Sequence, residues 1–323
     1  MDPGEYKKSI FSDQINGDGS WWDVSLQWLD KTKQILTNSG FDCTYFFDDG
    51  VARFEKNKTS VLVNFASVLP HDSTWQITDS VPLDNNKNVL LTSPYSLGYY
   101  YCDYKYTNCM PTKEYNCFIK RSCPVRQSWF YLLIRKNILN NGNVSFWSEN
   151  PIYENSSLEL FELFYKGSEI FEPEHNYILN NLSIPYSNFD VTIEEATLDS
   201  KVSVVIETSF NDLGWILLTE KTFRALQLPR PLLLFSNPNS IAYLRQLGFN
   251  VYDDVVDHSY DSCPDWLERQ SKILQQLDNS LKYNNATLKE FSRRAEHNKN
   301  VLLELRNSSD GYMQNIWNQI KQL

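Results

Sequence analysis

The sequence predicts an α/β protein of two lobes, each carrying a doubly wound sheet, closed by a helical tail. Three observations predict it. Residues 202–252 alternate buried-type strands with amphipathic helices, in the order strand, helix, strand, helix, strand. Residues 116–147 hold a shorter strand, helix, strand unit. From Cys263 to Leu323 the pattern is mostly helical, with Leu267, Ile273, Leu277 and Leu281 on one face. Alternation of this kind implies parallel strands joined by right-handed crossovers. The expected divisions are a first lobe over 1–112, a second over 113–262, and a tail over 263–323 that packs back on both.

In chain order, Lys8–Ser12 reads as a short first strand, followed by a loop over Asp13–Trp22 that contains Asn16-Gly-Asp-Gly-Ser20. Asp23–Asn38 reads as an amphipathic helix through Leu26, Leu29, Ile35 and Leu36, and Gly40 is its C-terminal cap. Phe41–Phe47, Ser60–Phe65 and Asn88–Thr92 read as strands, and residues 94–117, rich in Tyr and Cys, as a linker or covering loop. Asn116–Ile119 opens the second lobe. Pro124 then suits a first helical position, where its missing N–H costs nothing. That helix runs through Trp129, Leu132, Leu133 and Ile138 to a stop before Gly142, and Val144–Trp147 is the next strand. Residues 150–200 are acidic and rich in Asn and Ser, with a helical Leu158–Tyr165, an excursion on the fold. Val202–Ile206 is a β-branched strand ending at Glu207, and Thr219 caps a helix carrying Leu218, Phe223 and Leu226 on one face. Leu232–Phe235, a helix over 240–247 and a strand at Asn250–Tyr252 complete the run.

Composition narrows the function. The 323 residues include 9 Trp and 19 Tyr, ample material for a large core. The net charge of −10 argues against a general nucleic-acid or anionic-membrane binder, while leaving room for a local basic groove. No signal peptide and no run of about 18 apolar residues appears, so a cytoplasmic protein with no membrane partner is expected. The cysteines Cys43, Cys102, Cys109, Cys117, Cys123 and Cys263 lack zinc-ligand spacing, so reduced thiols and no metal are expected. No phosphate-loop glycine signature, nucleophile elbow or His-Glu-x-x-His occurs, and His71, His175, His258 and His297 are scattered.

What remains is a set of polar residues at strand ends and helix mouths. Glu220 in the first helical turn suits the positive helix end, whereas Lys221 beside it is disfavoured by roughly 0.3–1 kcal/mol. A bound anion would reverse that penalty. Arg126 opens the earlier helix, so two cations on one sheet edge can hold both phosphates of a diphosphate. Glu207 and Asn237 project near the same edge, where ligands of doubly wound sheets sit. Glu220 can accept hydrogen bonds from ribose or sugar hydroxyls. Each of these charges has a plainer reading as one half of a surface ion pair.

Residues 116–147 and 202–252 resemble the donor-binding domain of GT-B glycosyltransferases, and most nearly the pattern of the α-1,3-fucosyltransferase family. Ser122-Cys-Pro-Val-Arg126 resembles that family's helix entry ending in Arg. Ile206-Glu-Thr208 resembles its strand ending in Glu-Asn, with Thr208 in place of Asn, and Thr219-Glu-Lys221 matches its Thr-Glu-Lys. Thr219–Asp254 also looks like uncharacterised glycosyltransferase-like proteins of large bacteriophages, which implies a host-cytoplasm setting. The resemblance implies two Rossmann-like lobes, with 1–112 on the acceptor side and 113–262 binding a nucleotide sugar. Arg126 and Lys221 become diphosphate ligands and Glu220 a ligand of ribose or sugar. No cofactor is implied beyond the nucleotide-diphosphate sugar as co-substrate. The acceptor is a hydroxyl, on a glycan or on a hydroxymethylated DNA base.

Inverting transfer needs a carboxylate base on the acceptor side. Asp18 is the preferred candidate, because the first strand-to-helix loop faces the cleft in this architecture; Asp49 and Asp72 are the others. Trp21, Trp22 and the Tyr99–Tyr106 cluster can stack on sugars or bases. The competing reading is a non-catalytic carbohydrate- or nucleotide-binding module, or a structural protein, on the same fold.

Overall fold

The computed structural model describes residues 21–47, 51–57, 59–64, 68–70, 76–78, 88–92, 97, 100–106, 109–119, 124–146, 195–207, 215–277 and 281–320. The expected strand at 8–12, the helix at 158–165, and the residues Asp18, Asp49, Asp72, Cys123 and Thr208 lie outside these segments.

The first helix, α1 (Trp21–Asn38), buries Trp28, Leu29, Ile35 and Leu36. It ends where Gly40, at φ +85°, lets Phe41 N donate back to Leu36 O at 3.0 Å, as its sequence position implies. Among the described residues six strands follow: β1 (Asp42–Phe47), β2 (Val51–Lys56), β3 (Thr59–Asn64), β4 (Val68–Pro70), β5 (Gln76–Thr78) and β6 (Asn88–Thr92). Five of them form one sheet in the order β1-β2-β3-β6-β5, in which β1, β2 and β3 are antiparallel neighbours and β3, β6 and β5 are parallel. This sheet is mixed, with an antiparallel edge on a parallel core. Strand β2 was not among the expected elements. Lys56 pairs with Thr59 across a tight turn in which Asn57 takes φ +56°, a conformation Asn tolerates better than most residues.

The second half is a purely parallel sheet. Its elements are β7 (Lys113–Ile119), α2 (Pro124–Arg135), β8 (Gly142–Phe146), β9 (Ser200–Ile206), β10 (Trp215–Leu217), α3 (Glu220–Leu226), β11 (Leu232–Phe235) and α4 (Ser240–Gln246). The strand order is β11-β9-β7-β8, and β10 instead pairs antiparallel with β4 of the first half. Strand β9 is covered on both faces. On one, Val202, Val204 and Ile206 meet Trp129, Phe130 and Leu133 of α2. On the other, Val205 meets Phe223 and Leu226 of α3 and Ile241 and Leu244 of α4. Each such side chain contributes about 1.5–3 kcal/mol when fully buried.

Gly142 begins β8 against the ring of Tyr115, and a Cβ there would lie 2.6 Å from ring carbons. The ring cannot retreat freely, because its hydroxyl donates to Ile138 O at 3.0 Å. Gly142→Ala is expected to destabilise by about 1–3 kcal/mol, read as a lowered midpoint in urea.

The strand expected at Asn250–Tyr252 does not form. Asn298 draws this segment away: its Oδ1 accepts from Asn250 N at 2.8 Å and its Nδ2 donates to Asn250 O at 3.0 Å. Tyr252 sits at φ +65°, outside the strand region. The edge amide of Leu234 donates instead to Tyr260 Oη at 3.0 Å. His258 completes the arrangement, with Nδ1 2.9 Å from Tyr260 Oη and Nε2 2.7 Å from Val251 O. Burial holds its imidazole below the ordinary value of about 6.5. In acid the unfolded chain therefore takes a proton that the folded chain refuses. This contribution is intact above pH 6.5 and declines as pH falls below it. Asp261, whose carboxyl is raised by burial, works in the opposite sense. His258→Gln should flatten the fall in unfolding free energy between pH 6.5 and 5 relative to wild type, by up to about 1.4 kcal/mol per pH unit. Equal slopes would contradict it.

Two further helices follow, α5 (Trp266–Leu277) and α6 (Asn285–Ile320). Helix α6 has 36 residues, so it is roughly 54 Å long at 1.5 Å per residue. Leu302 joins the core around α3 and α4, whereas Met313, Ile316, Trp317 and Ile320 join that of α1 and β2–β3. Trp317 Nε1 donates to Thr32 Oγ1 of α1 at 2.8 Å. Among the described residues no helix is long and apolar enough to cross a membrane.

Candidate functional site

The connection from β7 through α2 to β8 steps one way along the sheet, and that from β9 through α3 to β11 steps the other. Right-handed crossovers then place α2 and α3 on opposite faces, as their core contacts show. The winding reverses between β7 and β9. Ligands of such sheets sit in the crevice beyond the carboxyl ends of the strands at this reversal.

Glu207 follows β9 directly and stays in the ladder, donating its N–H to Phe235 O at 3.0 Å. Its side chain is wholly buried and turns toward the start of α3. Oε1 accepts from Thr219 N at 2.8 Å and from Thr222 Oγ1 at 2.5 Å, and Oε2 accepts from Thr219 Oγ1 at 2.6 Å. The expected capping by Thr219 is thereby corrected. Thr219 makes no side-chain cap bond, because its hydroxyl donates to a carboxylate that already occupies the helix mouth. With seven residues, α3 is also too short for a strong dipole. An anion here would have to be held by side chains rather than by the helix end.

Lys221 supplies such a side chain. Its Nζ donates to Thr219 Oγ1 at 3.0 Å and lies 3.2 Å from Glu220 Oε1 and 3.9 Å from Glu207 Oε2. The Lys221 side chain is 27% exposed and that of Glu220 53%. Burial around the Glu220 carboxyl acts to raise its proton affinity, but the Lys221 ammonium, a backbone hydrogen bond and the Arg224 charge together outweigh it and hold the group below the ordinary carboxylate range. The Glu220 carboxylate is therefore ionised at neutral pH, and both side chains reach solvent.

Arg126, the other expected cation, is 2% exposed, and its Nη2 donates to Ile206 O at 2.9 Å. It secures the end of β9 from the α2 face, while Lys221 stands on the α3 side. The expected two-cation clamp is therefore not presented by two open side chains. The accessible cation is Lys221, and Arg126 fixes the backbone beside it. Cys117 lies near Arg126, and burial pushes its thiol up to about 12, so it stays neutral despite the guanidinium.

Asn237 is 7% exposed in the β11–α4 turn, where its carbonyl accepts from Ser240 Oγ at 2.6 Å. Arg269 Nη1 donates to the neighbouring Ser236 carbonyl. The first amides of α4, on Ile241 and Ala242, donate to the buried Asp261 carboxylate at 3.0 Å each. Both short helices of this sheet thus begin on a carboxylate from elsewhere in the chain.

Sequence reasoning missed Thr222 and the full part played by Tyr100. A Thr three residues after Thr219 shares its helical face, and that spacing was a legible signal. Tyr100 stacks on Phe223 with centroids 5.0 Å apart, and burial, then Glu220 and Glu207, push its hydroxyl well up. Gln227 Nε2 donates to Tyr100 O at 2.9 Å and Gln227 Oε1 accepts from Cys102 N at 2.8 Å, so the linker is strapped to α3. Asp18, the candidate base, lies outside the described residues. A surface cavity of about 520 Å³ is lined by Arg245 and residues 253–259, including Asp253, Asp254, Asp257 and His258, and by none of the expected site residues.

No protein-family profile matches the chain, and no curated protein matches it. Among solved structures it is similar to T4 phage BGT in complex with UDP and Mn2+, at 12% identity and a TM-score of 0.35, over 74% of this chain and 57% of that one. It is similar also to T4 phage BGT in complex with its UDP-glucose substrate, at 12% identity and a TM-score of 0.31, over 76% of this chain and 63% of that one. The chain thus spans less than two thirds of the length of either.

Proposed function

We propose that this chain is a glycosyltransferase that moves a sugar from a nucleotide-diphosphate donor to a hydroxyl acceptor, with inversion and without a metal ion. The observation that carries the reading is the solvent-reaching Lys221–Glu220 pair at the carboxyl edge of a parallel sheet, beside the point where its winding reverses. An ammonium there can take the charge that grows on a departing diphosphate. The neighbouring carboxylate can accept hydrogen bonds from ribose or sugar hydroxyls. A carboxylate of the first lobe, with Asp18 preferred, would take the acceptor's proton as its oxygen attacks the anomeric carbon and the bond to the diphosphate oxygen breaks. Arg126 and Glu207 act from behind, holding the end of β9 and the start of α3. The acceptor is a glycan or a hydroxymethylated DNA base. The net charge of −10 weighs toward the glycan.

A thermal-shift series with UDP, GDP, ADP and CMP and their sugar conjugates tests the donor site. At least one diphosphate is expected to raise the midpoint through preferential binding to the folded state. Slow hydrolysis of the matching sugar conjugate without acceptor then separates an enzyme from a non-catalytic binding module. Absence of any shift across the series would end the donor reading.

A further inference from the structure

We propose that Thr219 and Glu207 form a positioning relay that fixes the Lys221 ammonium at the sheet edge. The inference rests on the reading of Lys221 as a donor ligand. A lysine head on a four-carbon stem is a mobile point charge, and ordering it costs side-chain entropy. Here the order is imposed from the sheet outward. Glu207 is fixed by its ladder bond to Phe235 O at 3.0 Å and by complete burial of its side chain. Its carboxylate receives the Thr219 amide at 2.8 Å and the Thr219 hydroxyl at 2.6 Å. That hydroxyl donates its hydrogen bond to Glu207, so its lone pairs face the ammonium 3.0 Å away. Thr222 Oγ1, also on Oε1, leaves the carboxylate no freedom to turn. The strand pair β10–β4 ends one residue before Leu218, which is itself fully buried, so the segment entering Thr219 is held from the other side. The hydroxyl at 219 is central, because its one oxygen both donates to the carboxylate and accepts from the ammonium. Thr219 is thus a positioning residue that acts through Lys221.

The test uses the full chain and isothermal titration with UDP, GDP and ADP, taking forward whichever binds wild type tightest. Thr219→Val keeps the shape and removes the hydroxyl. It should weaken binding about tenfold, the scale of one hydrogen bond, while Thr219→Ser stays within about twofold of wild type. In a Lys221→Ala background, Thr219→Val should add less than about twofold, because the relay has nothing left to position. Relaxation of the Lys221 ¹³Cε signal should show an ordered side chain in wild type and Thr219→Ser and a mobile one in Thr219→Val. Should Thr219→Val fail to fold, Thr219→Ala serves in its place. If no diphosphate binds wild type, or if Lys221→Ala leaves affinity unchanged, the donor reading falls and the relay with it. If Lys221→Ala weakens binding but Thr219→Val does not, or if the two losses multiply, the relay alone is overturned. A lowered melting temperature for Thr219→Val with unchanged affinity also overturns the relay, since a purely structural role would do that.

Discussion

Glu207→Ala is expected to destabilise the protein by about 3–5 kcal/mol, the largest effect of any substitution considered. The carboxylate is completely buried and accepts from the Thr219 amide and from the hydroxyls of Thr219 and Thr222. Truncation leaves three donors without that acceptor, at about 1–3 kcal/mol for each one that stays buried, and adds a small cavity. Part of the loss is recovered. The freed Thr219 hydroxyl can turn to cap α3, worth about 1 kcal/mol. Glu207→Gln keeps the shape and one good acceptor, so it should fall between Ala and wild type. Urea denaturation of all three proteins gives the order. A change below about 1 kcal/mol for Glu207→Ala would mean that the carboxylate does not organise the helix start.

Lys221→Ala should do the reverse, sparing the fold and weakening binding of the preferred nucleoside diphosphate about 10- to 100-fold. The ammonium is over a quarter exposed, and its contact with the half-exposed Glu220 is the kind of surface pair worth little to stability. Toward a diphosphate it can offer charge-assisted hydrogen bonds worth about 1.5–3 kcal/mol, which corresponds to that loss of affinity. Its removal also leaves Glu207 and Glu220 facing the ligand without a compensating cation. Binding by wild type should weaken with added salt, and binding by the variant should be less salt-sensitive. Matching titrations at two ionic strengths check both points.

The second sheet is readable in detail from sequence because its strands are buried on both faces. Val202–Ile206, interrupted only by Ser203, and Leu232–Phe235 are short apolar runs of the kind that strands buried on both faces carry, and each lies within a residue or two of its expected place. The first sheet is harder. Val51–Lys56 carries Arg and Glu and lies between two antiparallel neighbours, so its signal is a half-buried alternation and a tight turn rather than a run. Asn250–Tyr252 has strand composition and still is not a strand, because Asn298, 48 residues away, claims both of Asn250's backbone groups. No local pattern encodes that. At the site, charge type and chain position identify Glu207, Glu220 and Lys221, which the structure gathers at the start of α3. Burial sorts their parts. A carboxylate that ends a doubly buried strand anchors its neighbours, and Arg126, at 2% exposure, holds a strand end.

The most direct measurement is a crystal structure with the tightest-binding nucleoside diphosphate. The account predicts its phosphates beyond the carboxyl ends of β7 and β9, with an oxygen within about 3 Å of Lys221 Nζ and a ribose or sugar hydroxyl on Glu220. Phosphates seated elsewhere, as in the cavity lined by Arg245 and residues 253–259, with Lys221 still turned to its own carboxylates, would contradict it.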